Sequence, residues 1–127
     1  MNTTIKTKWV KALRSGKYKK GVGKLRTEKD GYCCLGVLTD LYIKEHKGTE
    51  WTKGDKYETA FNFEGQGYVT PDKVQEWAGL KEDNPEVTVG VRSPEQHSLS
   101  ELNDGEYTRK RSFNEIATII EANYKTM

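Results

Sequence analysis

Three stretches with helical spacing each run into a glycine. The segment from about Thr4 to Ser15 stops at Gly16, Cys33 to about Lys47 at Gly48, and the turn after Pro71 at Gly79. A glycine just past a helical run takes the left-handed conformation that closes the last turn, so no helix here can grow long. Between the second and third stops the period changes: Tyr57, Thr59, Phe61 and Phe63 alternate with polar residues, as in a half-buried strand. Val87, Val89 and Val91 repeat the alternation further on. Short helices mixed with short alternating strands predict an α+β domain of several helices and a small antiparallel sheet.

The periodic positions also name the expected core. Ile5, Trp9, Ala12 and Leu13 share one face of the first helix, with lysines on the other; Cys34, Leu35, Leu38, Leu41 and Tyr42 line the second. Thr70-Pro71-Asp72 reads as an N-cap, a proline at the first helical position and an early acid, carrying Val74 and Trp77 inward. Leu99 and Leu102 mark a further helical turn. Ser112-Phe113-Asn114-Glu115 is a capping box that starts a last helix with Phe113, Ile116, Ile120 and Tyr124 inward.

At 127 residues the chain has the usual size of one domain, residues 1–127 forming a single unit. Its 34% hydrophobic and 31% charged content and its mean hydropathy of -0.87 describe a polar, folded protein. No run approaches the roughly 20 apolar residues of a membrane span, and Met1 to Val10 is too polar for a secretory leader. A cytoplasmic protein without a membrane partner is expected. Adjacent Cys33 and Cys34 cannot staple distant segments, so reduced thiols are expected too.

Charge divides the chain. Between Met1 and Asp30, ten lysines and arginines face only Glu28 and Asp30, so with +2 overall the remainder is net acidic. A basic third suits an anionic partner, a solvated surface or an intersubunit contact. Within it, Gly16, Gly21 and Gly23 alternate with Lys17, Lys19, Lys20, Lys24 and Arg26, the composition of a phosphate cradle. The nucleotide-hydrolase loop pattern G-x-x-x-x-G-K-[ST] fails, because Val22 follows Gly21 and Leu25 follows Gly23-Lys24. Trp9, Tyr18 and Tyr32 are the candidate stacking faces, and Arg14, Lys24, Arg26 and Arg109 the candidate anion contacts. The competing reading makes the aromatics core or rim packing and the lysines solvated.

Catalysis finds little support. Cys33 or Cys34 with His46 or His97 would make a thiol–imidazole pair, but no motif brings them together, and the same four residues make a poor zinc set. No catalytic residue, metal or cofactor is expected. The pair Ser98–Asp104 and Ser112–Tyr124 is joined by too long a linker for a helix-turn-helix, and its second segment presents Glu115, Thr118 and Glu121 rather than bases.

Lys8-Trp9-Val10-Lys11-Ala12-Leu13-Arg14-Ser15-Gly16-Lys17-Tyr18, Gly31-Tyr32-Cys33-Cys34-Leu35-Gly36-Val37-Leu38, Ser98-Leu99-Ser100-Glu101-Leu102-Asn103-Asp104 and Ser112-Phe113-Asn114-Glu115-Ile116-Ala117 together resemble a family of small bacteriophage and prophage proteins. The resemblance brings no activity with it. It implies a setting in which small accessory proteins bind and disable a host component or defence signal. The leading expectation is a non-catalytic protein that sequesters an anionic, nucleotide-like ligand, as a homo-oligomer enclosing it between subunits. A nucleic-acid binder using the basic third is the first alternative. A protein inhibitor of a host factor, working through Trp51 to Tyr68, is the second.

Overall fold

A computed structural model describes residues 1–55, 58 and 60–127. The first helix, α1 (Thr3–Arg14), is capped by Asn2, whose side-chain oxygen accepts from the Ile5 amide at 2.9 Å. Ile5, Trp9, Val10 and Leu13 face inward, while Ala12, expected in the core, lies on its margin. Lys11 and Arg14 in the last turn offset the negative end of the helix, and Gly16 at φ 73° turns the chain away.

The second helix, α2 (Cys34–Glu45), is capped by the Cys33 thiol, which accepts weakly from the Gly36 amide at 3.4 Å. Cys34, Leu35, Val37 and Leu38 are wholly buried, so the first turns are apolar all round, as suits a helix through the middle of a domain. Gly36 has a geometric reason. The Leu25 carbonyl lies where a Cβ at Gly36 would be, and the same carbonyl accepts from the Cys33 amide.

Strands β1 (Thr52–Lys53) and β2 (Phe61–Asn62) pair antiparallel, Thr52 opposite Asn62 and Lys53 opposite Phe61. Of the strand read over Tyr57–Phe63, Phe61 and Asn62 pair with β1; Tyr57 and Thr59 lie outside the described residues. Phe63 instead bridges Gln66 across a turn in which Glu64 and Gly65 both have positive φ.

Helix α3 (Asp72–Ala78) corrects the expected cap. Pro71 occupies the N-cap position, so Thr70 stands one residue too early for its hydroxyl to reach the first turn, and its buried Oγ1 has no hydrogen-bond partner among the described residues. The Thr70 amide donates to Asp83 O at 3.0 Å. Gly79, at φ 69°, ends α3 as expected.

Strands β3 (Glu86–Val89) and β4 (Glu95–Ser98) form a second antiparallel ribbon. Val87 is buried, but Val91 is 97% exposed, because Gly90 at φ 95° turns the chain before the alternation can continue. Ser98 then caps α4 (Leu99–Asp104). The last helix, α5 (Phe113–Asn123), has the full capping box: Ser112 Oγ accepts from the Glu115 amide and Glu115 Oε1 from the Ser112 amide, both at 3.2 Å.

The result is the expected α+β domain, with its strands split into two two-stranded sheets. α1 lies along α5, β3 covers α5, and α2 contacts α1, α3 and α4, so one core runs through Trp9, Leu25, Leu35, Leu38, Leu102, Ile116 and Ile120. Each fully buried Leu or Ile side chain there contributes about 1.5–3 kcal/mol of transfer free energy. Among the described residues, no helix is long and apolar enough to cross a membrane.

Candidate functional site

The outward face of α1 carries Lys8, Lys11, Ala12 and Ser15 at the i, i+3, i+4, i+7 spacing that puts them in one row. Beside them α2 offers Leu41 and Lys44, one turn apart, and the chain after α1 brings in Lys17 and Tyr18. Together these residues enclose a groove of about 290 Å3 with Ala12, Leu41 and the Tyr18 ring as its apolar lining and lysines around it.

The charges of the groove are unequal. Lys8 is paired with Glu45 at 2.5 Å and Lys44 with Asp40 at 3.0 Å. Lys11 and Lys17 are exposed, and among the described residues no carboxylate pairs with either. The groove is therefore net positive through those two ammonium groups.

Tyr18 is fixed from several sides. Its hydroxyl donates to Asp40 Oδ2 at 2.5 Å and accepts from Lys44 Nζ at 3.1 Å, while its ring meets Tyr32 edge-on at 5.1 Å between centroids. Trp51 Nε1 donates to the other Asp40 oxygen at 3.0 Å. Burial, and then the bond to Asp40, push the Tyr18 phenol up to about 12. Burial alone would raise Asp40, but its bonds from Tyr18, Trp51 and Lys44 outweigh it and hold the carboxyl below its ordinary value. The bonds of Lys44 to Tyr18 and Asp40 raise that ammonium above the ordinary lysine value.

The other candidate residues are dispersed. Trp9 is corrected: its ring is wholly enclosed in the core and its indole N–H donates to Cys34 O at 2.9 Å, so it offers no stacking face. Arg14 and Arg109 both serve α5, Arg14 donating to Thr118 Oγ1 at 3.1 Å and Arg109 pairing with Glu115 at 2.7 Å. Lys24 bonds Glu58 at 2.6 Å and lies 4.0 Å from the centroid of the Tyr68 ring. Arg26 pairs with Asp30 at 2.7 Å and packs on Phe61, Tyr32 and Trp51. Tyr32 thus buttresses Arg26 and Tyr18. Of the seven residues selected from sequence, only Tyr18 lines the groove.

The glycine-rich loop is likewise not a phosphate cradle. The Gly21 amide donates to Tyr32 O at 2.7 Å, the Gly23 amide to Asp104 Oδ1 at 3.1 Å, and Lys20 Nζ to Asn103 O at 2.5 Å. Gly21 is required because its Cα side faces the Gly31 backbone, 2.8 Å from where a Cβ would sit. These donors of the loop serve the fold.

The thiols are similarly withdrawn. Burial pushes Cys33 up to about 11 and Cys34 well above its ordinary value, so both are held protonated near neutrality. Cys33 lines a smaller cavity of about 160 Å3 with Lys24, Ser100 and Asp104. His46 stacks on Tyr42 and His97 bonds Glu95 and Glu101, neither reaching a thiol. Among the described residues, no group of His, Cys, Asp and Glu is arranged to hold a metal ion.

Sequence reasoning missed Lys8, Lys11, Leu41 and Lys44 as one site. The available signal was the row on α1, which also reads as an ordinary solvated helix face. No curated protein and no solved structure matches the chain. The model of the family described as Domain of unknown function (DUF8296) matches residues 1–124, and the chain belongs to that family.

Proposed function

We propose that this chain is a non-catalytic binding protein for an anionic, nucleotide-like small molecule, held in the groove between α1 and α2. The observation that carries this reading is the placement of two uncompensated ammonium groups, Lys11 and Lys17, beside a fixed aromatic ring and an apolar lining. A phosphate would meet the lysines and a planar base the ring. Charge-assisted contacts contribute about 1.5–3 kcal/mol each and a stacked base about 1–3 kcal/mol, which together suit roughly micromolar to millimolar affinity. The protonated, enclosed thiols support binding over chemistry. The resemblance to small phage proteins supports sequestration of a host nucleotide signal as the use of such binding.

Calorimetric titration with nucleoside monophosphates tests the proposal. Saturable binding that is lost in the double variant Lys11→Ala, Lys17→Ala, with the fold retained, is the expected result. Nucleic acid bound in place of nucleotides, its log affinity falling against log salt with a slope of about -0.9 per duplex phosphate contacted, would overturn it in favour of a nucleic-acid surface. Binding of neither would overturn it in favour of a protein partner.

A further inference from the structure

We infer that Asp40 makes the groove selective for a ring-bearing monophosphate over ring-less anions, by locking the Tyr18 ring in place while occupying Lys44. This rests on reading the groove as a nucleotide site, and it concerns what that site prefers.

Asp40 is 6% exposed and gathers donors from three parts of the chain: Tyr18 after α1, Lys44 on α2 and Trp51 before β1. A carboxylate has room for about four such bonds, so three leave it well satisfied where it is buried. The effect on Tyr18 is specific. A phenol has one proton to give and accepts readily; Tyr18 gives its proton to Asp40 and accepts from Lys44. It therefore meets a ligand through its ring.

Lys44 is affected in the opposite sense. Its ammonium, which would otherwise be another cation of the groove, is already paired with Asp40 at 3.0 Å. Anion attraction is thereby limited to Lys11 and Lys17, and the ring decides which anion stays. The edge-on packing of Tyr32 against Tyr18, and of Trp51 against Tyr32 at 6.3 Å, buttresses the ring, and neither residue lines the groove. A groove of about 290 Å3 is near the lower bound of small-molecule sites and suits one nucleotide; a dinucleotide would need a second copy of the chain.

The test is calorimetric titration of the full chain with adenosine monophosphate and with ribose 5-phosphate, which share the phosphate and differ in the base. The wild type should bind the nucleotide at least about tenfold more tightly. Tyr18→Leu should abolish that ratio while leaving ribose 5-phosphate binding in place. Asp40→Asn, which releases Lys44, should tighten ribose 5-phosphate severalfold and shrink the nucleotide's advantage; a merely structural role would weaken both ligands alike. Lys44→Ala checks the same pairing where Asp40→Asn does not fold: it leaves the Asp40 carboxylate uncompensated while Asp40 still holds Tyr18, so both anions should bind more weakly with the nucleotide's advantage retained, and loss of that advantage overturns the inference. Equal affinity of the wild type for both ligands, with Lys17→Ala still weakening each, also overturns it and leaves the groove reading intact. Binding of neither ligand overturns both.

Discussion

Asn103 is the buried polar hub on which the inner loop depends, and Asn103→Leu isolates its contribution. The residue is wholly buried. Its Oδ1 accepts from the Cys34 amide at 3.1 Å, and its Nδ2 donates to Gly21 O at 3.0 Å and to Asp104 Oδ1 at 2.9 Å. Leucine has the same branching and the same number of side-chain heavy atoms but is bulkier, so the substitution removes the hydrogen bonds without leaving a cavity and adds some crowding. Asp104 Oδ1 keeps its bond from the Gly23 amide, which leaves the Cys34 N–H and the Gly21 carbonyl to be counted. The orphaned, buried Cys34 N–H costs about 1–3 kcal/mol, the half-buried Gly21 carbonyl less, and crowding by leucine adds to both, for a net loss of about 2–4 kcal/mol. Against a total of roughly 5–15 kcal/mol that is a large share, equivalent to about 10 °C in Tm. Urea unfolding followed by circular dichroism should show a lower midpoint with an unchanged slope. A loss under about 1 kcal/mol would refute the reasoning, because the two groups would then have other partners.

Gly36→Ala should be harsher, at least about 3 kcal/mol in urea unfolding, since the new Cβ meets the Leu25 backbone rather than a side chain that can move. Native Cys33 and Cys34 should react with a disulfide reagent only as fast as the protein opens, and full labelling within seconds at neutral pH would contradict their raised pKa values. Asp40 titrates lower in the folded chain than its unfolded value of about 3.9, so its stabilisation is present above that pH and is lost as the pH falls through the folded value. Acid unfolding of Asp40→Asn should accordingly be less steep below about pH 4 than that of the wild type, and identical profiles would remove Asp40 from the acid response.

The helices were legible because their signals are local. The capping box at Ser112 and Glu115, the stops at Gly16 and Gly79, and the inward spacing of Ile5, Trp9 and Leu13 each depend on residues within a few positions of one another. β4 was not legible, since Glu95-Gln96-His97-Ser98 has no apolar alternation and pairs only because β3 offers its edge. Thr70 misled because N-cap chemistry was placed one residue early, with the proline itself taking the cap position. For the site, composition identified a basic region correctly but not which of its cations remain unpaired. Lys20, Lys24 and Arg26 find partners at Asn103, Glu58 and Asp30, and the partners of Lys20 and Lys24 are distant in sequence. Lys11 and Lys17 stand out only after those pairings are known. Tyr18 was selected for its ring, yet the bond that holds the ring comes from Asp40 on α2.

The central claim is that anions are bound between α1 and α2, and the most direct measurement is a residue-resolved amide NMR titration with adenosine monophosphate. Shifts that saturate at Lys8 to Tyr18 and at Leu41 to Lys44, with the amides around Lys24, Arg26 and Arg109 unmoved, are the predicted result. Shifts centred on the Gly21–Arg26 loop, or no saturable shifts anywhere, would contradict the account.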